Sequence, residues 1–305
     1  MNWATTFSKL GRFGKNVDVA RQIEWGARFS SLLSDLEENI GKFGTRELSN
    51  IMHALGGMGV RSDKVVRFVE DNAERILAKA DPLAMSNIAY AFAKLEFKAA
   101  RYFGALDGEN IVDEIANETL QDISNTIWAM QQMRLACPEL VAEIIRDADR
   151  IMANGDPQAI SNIAYALADL VYFDKSLFVA VARQAERITW HGNDQELCNL
   201  LWSFAVAGRL KENEEAVKVL WREVNKRDEG GFLEKNWRQL KIANFFSGCE
   251  GVDLAMSEGH QQNMDKASLL SISSGFGRFE NDIVEELKRF GFEGFTREVS
   301  PYPGD

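Results

Sequence analysis

The sequence predicts an all-α protein, a right-handed α-solenoid of ~38-residue helical-hairpin repeats. Three observations predict it. One eight-residue phrase recurs five times, as "LSNIMHAL" at 48–55, "MSNIAYAF" at 85–92, "ISNTIWAM" at 123–130, "ISNIAYAL" at 160–167 and "LCNLLWSF" at 197–204. Its asparagines, Asn50, Asn87, Asn125, Asn162 and Asn199, stand 37, 38, 37 and 37 residues apart. A second phrase keeps the same beat, "AERI" at 73–76, "ADRI" at 148–151 and "AERI" at 185–188. Two phrases on one period mark stacked supersecondary units, each unable to bury its apolar stripe alone.

Composition agrees. With 46% hydrophobic and 10% aromatic residues the chain can build a core, and its 305 residues suit two ordinary domains or one elongated array. No run approaches ~18 consecutive apolar residues, so no membrane span is expected. Cys137, Cys198 and Cys249 are odd in number and far apart, which suits a reducing compartment without a disulfide framework. His53, His191 and His260 show no metal-ligand spacing with any cysteine, so no zinc and no other metal is expected. A net charge of −11 opposes binding that relies on phosphate neutralisation, so a nucleic-acid surface would have to be local.

Residues 1–40 read as an N-terminal helical cap, in which Phe7, Leu10 and Phe13 recur at helical spacing. The first seventeen residues, with Lys9, Arg12, Lys15 and no acid, also look like an organellar presequence or its remnant. Five hairpins follow over 41–228. Within a hairpin, "DPQAISNIAYALADL" offers Asp156 as N-cap and Pro157 at the first helical position, and Asp81-Pro82 does the same earlier. The second arm, "KSLFVAVARQAERI", follows a break near Tyr172–Asp174. Residues 229–260 read as a degenerate closing repeat. There Asn244 arrives 45 residues after Asn199, and a linker with Gly230 and Gly231 accounts for the lengthening.

Projected at 100° per residue, the first helix sorts into columns. Leu48, Ile51, Met52 and Leu55 face the core, opposite Asn50. Small residues flank the Asn: Ser49, Ser86, Ser124, Ser161 and Cys198 on one side, Ala54, Ala91, Ala129, Ala166 and Ser203 on the other. They let equivalent helices lie close. The remaining stripe holds the asparagines, then His53, Tyr90, Trp128, Tyr165 and Trp202 three residues later. A variable column seven after the Asn holds Gly57, Lys94, Gln132, Asp169 and Val206. Four before it stand Arg46, Leu83, Gln121, Gln158 and Gln195. Such a stripe suits a reader of a linear polymer, with aromatic faces for bases and amides for base edges. A structural role is the alternative: asparagines bonded to the next unit, aromatics wedged between units, and a solvated variable column.

The ~38-residue hairpins carrying "ISNIAYALADL" or "ISNTIWAMQQM" resemble octotricopeptide repeats of organellar RNA-metabolism proteins. They are also similar to the helical repeats of FAST-kinase-like proteins, over roughly 41–258. The tail "SGFGRFENDIVEELKRFGFEGFTREVSPYPGD" looks like the opening of a RAP domain, which implies a truncated α/β module over 270–305. Its metal-binding acid and lysine would lie beyond Asp305. The resemblance implies a mitochondrial or plastid protein that binds single-stranded RNA at about one nucleotide per unit. Its function would be transcript stability, processing, translation or ribosome assembly, with protein partners in a ribonucleoprotein complex. The candidate RNA-binding residues are Arg46, Asn50, His53, Asn87, Tyr90, Lys94, Asn125, Trp128, Gln132, Asn162, Tyr165, Asp169, Asn199 and Trp202. The competing expectation is a protein-interaction scaffold gripping an extended peptide on the same face. No phosphate-cradling glycine loop, clustered His–carboxylate set or G-x-S-x-G motif points to an enzyme or a cofactor.

Overall fold

The computed structural model describes residues 3–13, 26–108 and 119–267. Among them are seventeen α-helices, two short 3-10 turns and no strand. The α/β module expected over 270–305 lies outside the described residues. The chain divides into two compact units, Met1–Ala166 and Leu167–Asp305. The first unit holds α1 (Trp3–Phe13), α2 (Ala27–Asn39), α3 (Thr45–Met58), α4 (Asp63–Asp71), α5 (Ala73–Leu77), α6 (Pro82–Lys94), α7 (Ala100–Leu106), α8 (Leu120–Met133), α9 (Pro138–Arg146), α10 (Ala148–Asn154) and most of α11 (Pro157–Asp169). The second holds the end of α11, then α12 (Lys175–Ala182), α13 (Ala185–His191), α14 (Asp194–Val206), α15 (Glu214–Lys226), α16 (Glu234–Glu250) and α17 (Glu258–Lys266).

The two phrase-bearing helices for which the sequence named a cap, α6 and α11, start there. The Asp81 carboxylate accepts from the Ala84 N–H at 2.8 Å, and Asp156 accepts from Ala159 at 2.7 Å. Asn193 and Glu196 form a reciprocal capping box, 2.8 and 3.1 Å. All the phrase-bearing helices stop alike. Gly59, Glu96, Arg134, Val171 and Gly208 all take left-handed backbone, each nine residues after its asparagine. The next N–H reaches back to a carbonyl five residues earlier in every case, Val60 to Leu55, Phe97 to Phe92, Leu135 to Met130, Tyr172 to Leu167 and Arg209 to Phe204, at 2.9–3.1 Å. This is the Schellman end, and it satisfies carbonyls that the helix leaves unpaired.

α16 ends the same way at Gly251, with Val252 bonded to Ser247 at 2.8 Å. Counting back nine residues from Gly251 gives Ile242, so Asn244 sits about 200° around the helix from the amide column. The asparagine phrase therefore misplaced the register of the closing repeat by two residues. That repeat also runs on through α17.

In the first, third and fourth hairpins the second arm is not one helix, as the sequence suggested, but two, whereas α15 of the fifth runs unbroken. α4 and α5 are separated by Asn72, α9 and α10 by Asp147, α12 and α13 by a turn at Arg183–Gln184. At the first break the Asn72 amide donates to the Phe68 carbonyl at 2.8 Å, a local bond that competes with helix continuation. The Asn72, Asp147 and Gln184 carbonyls each accept from the N–H four residues on and so restart the helix.

In the first unit α1, α3, α6 and α8 lie side by side, with α4, α5 and α7 behind them. Leu48, Ile51, Met52 and Leu55 are fully buried, as are the small-residue columns to within a few per cent. α3 and α6 come so close that a Cβ on Gly56 would lie 2.9 Å from the Ala91 Cα. Between α6 and α8 the Ser86 hydroxyl donates to Asp122 at 2.7 Å, both groups buried. Behind, Glu70 accepts from the Arg101 and Tyr102 N–H groups at 2.8 and 3.0 Å, and Asp107 from Leu140 at 2.9 Å. An acid from one repeat thus caps the second arm of the next, where α7 and α9 would otherwise expose unpaired donors.

Candidate nucleic-acid interface

The first-unit stripe is built on α3, α6, α8 and α11, whose common start and stop bring the asparagines to one face. His53, Tyr90 and Trp128 form a continuous ladder: ring centroids are 5.8 Å apart from His53 to Tyr90 and 5.3 Å from Tyr90 to Trp128, tilted by 37° and 34°. Lys94, exposed, holds its ammonium 5.8 Å from the Tyr90 centroid and 5.7 Å from that of Trp128, within cation–π range. Among the described residues neither Lys94 nor exposed Arg46 has an ion pair. Gln132 is exposed and donates to Gln131 at 2.7 Å. Tyr165 continues the column on α11, half-buried.

The amides differ along the column. Asn50, Asn87, Asn125 and Asn162 are half-buried. Among the described residues the side chains of Asn50, Asn87 and Asn162 make no hydrogen bond, while Asn125 accepts from Gln121 at 2.9 Å. The expected tie to a neighbouring backbone is therefore not made at three of these positions.

In the second unit the stripe closes. Asn199 is 7% exposed and accepts from Gln195 at 2.6 Å and Gln239 at 2.9 Å. Gln195 also donates to Gln239 at 3.1 Å and accepts from Asn236 at 3.0 Å. Four amides thus lock α14 to α16. Trp202 is fully buried and Asp169 is 3% exposed. Asn199, Trp202 and Asp169, expected on the open face, belong to the interior. Sequence periodicity missed Asn236 and Gln239 because they sit in the repeat where the beat fails.

Two of the three thiols are buried. Burial, with the nearby Asp107 charge second, pushes the Cys137 thiol up to about 12, and burial likewise raises Cys198, so both stay protonated thiols. Among the described residues no His, Cys, Asp and Glu group could hold a metal, and no helix is long and apolar enough to cross a membrane.

Stacked helical hairpins with a recurring polar–aromatic face define a helical-repeat protein. The family described as RNA-editing substrate-binding complex 6 protein matches residues 26–226, well over half of the chain. The chain belongs to that family. The resemblance drawn from the repeat phrase thus holds at the level of an RNA-associated helical protein; the octotricopeptide, FAST-kinase-like and RAP families are not what matches. Among curated proteins none matches the chain.

Proposed function

We propose that this protein is a non-enzymatic subunit of an RNA-editing substrate-binding complex and that its first unit holds single-stranded RNA. One observation carries the reading: Asn50, Asn87 and Asn162 are kept inside helices, half-buried, without bonding to the described protein. Asparagine is a mediocre helix residue because its amide competes for backbone groups. A column that makes neither that competing bond nor an interhelix bond is available to a ligand, and each amide offers a donor and an acceptor to a base edge. Three such amides, with the Asn125 NH2 group between them, would address on the order of four nucleotides. A mitochondrial or plastid location, the right-handed superhelix and kinship with octotricopeptide repeats belong to this reading through the resemblance.

Fluorescence anisotropy with a pool of short single-stranded RNAs, and duplex RNA as control, tests it. Binding of single strands well below ~10 μM, tighter than ordinary non-specific association, with little duplex affinity, is the expected result. A second reading, a protein scaffold, is favoured by Trp190. It is 83% exposed on α13, where the equivalent positions of the other two broken arms carry Ala78 and Ala153. Tryptophan is enriched in interface hot spots. Weak RNA binding by an intact protein, with partners lost on Trp190→Ala, would favour the scaffold.

A further inference from the structure

We infer that the first-unit stripe takes RNA edge-on, with base edges on the amides and a phosphate on Lys94, and that the ring faces are not used for stacking. This rests on the RNA reading above. A base sandwiched between two rings needs them roughly 7 Å apart, twice the ~3.4 Å rise of stacked bases. His53, Tyr90 and Trp128 are 5.8 and 5.3 Å apart and tilted by 37° and 34°, so neighbouring rings leave too little space between them for a base. A base sandwiched between successive rings therefore does not fit in this ladder. Available to a ligand are the amide groups of Asn50, Asn87 and Asn162 and the Lys94 ammonium. Lys94 lies over two rings of successive repeats, where a cation is held in place without an ion-pair partner among the described residues. The footprint ends within the first unit, because in the second the equivalent amide, Asn199, is committed to Gln195 and Gln239.

The test is a set of titrations of the full chain with the same random short single-stranded RNA, over a range of salt, each variant's helicity and melting checked first. Lys94→Gln should flatten the log affinity against log salt plot by about 0.7, one single-strand phosphate. Asn87→Ala with Asn162→Ala should weaken binding by about fivefold or more, the loss of base-edge hydrogen bonds. Trp128→Leu should lower affinity no further than Lys94→Gln does, since it removes one of the two rings beneath that ammonium, whereas lost stacking would cost about fivefold or more. A large loss with Trp128→Leu in a folded protein, or unchanged affinity in the asparagine double variant, overturns the edge-on mode while leaving RNA binding intact. The second criterion stands even if Trp128→Leu fails to fold. No binding by the unaltered protein overturns the RNA reading itself.

Discussion

Truncating Asn199 leaves the buried Gln239 amide without the oxygen it donates to and takes from half-buried Gln195 one of its two acceptors. A buried donor without its partner costs about 1–3 kcal/mol, so Asn199→Ala should lower stability by that order. Asn87→Ala removes no protein bond and gains up to ~0.7 kcal/mol of helix propensity, so it should be neutral or slightly stabilising. Thermal unfolding of the two variants checks the contrast, and equal losses would mean that Asn87 is structural after all. Ser124, 1% exposed in the small-residue column of α8, has no room for a larger group. Ser124→Leu should cost roughly 1–3 kcal/mol through overpacking.

At the level of the helix, the common left-handed stop is the device that repeats most faithfully, yet only two of the five regular stops carry glycine. Val171 is the most strained of the others, a β-branched residue at φ 68°. Left-handed backbone costs a residue with a Cβ about 1–2 kcal/mol, partly offset in a glycine by its freedom when unfolded. Val171→Gly should therefore raise stability by about 1 kcal/mol, and the same change at Glu96 or Arg134 should act in the same direction. Calorimetry decides; a lowered melting temperature for all three would refute the cap argument. Glu70 serves the neighbouring repeat by accepting from two N–H groups of α7. Glu70→Ala should destabilise by about 1 kcal/mol, as loss of an N-cap does.

Across the whole molecule the charge of −11 limits how RNA can be held. Few phosphates can be neutralised, so the slope of log affinity against log salt should be no steeper than about −2. The architecture was legible in the sequence because stacking forces identical columns onto every repeat: Leu48, Ser49 and Ala54 recur in kind down the array and are buried as their positions required. The site was legible only as a stripe. Projection around one helix gives direction but not the depth to which a neighbour covers it, so Trp202 and Asp169 looked like Trp128 and Lys94. The broken second arms and the acids Glu70 and Asp107 escaped for a related reason. A single non-helical residue and a bond from another repeat leave no periodic trace.

The constant nine-residue interval between asparagine and helix stop has an evolutionary consequence. Loss or gain of one codon inside that interval would turn the amide by about 100° off its face while the stop stayed in place. A codon lost or gained in the connectors would disturb neither. Aligned relatives of this chain should therefore differ in length between the stop and the next helix, and hardly ever between the asparagine and the stop.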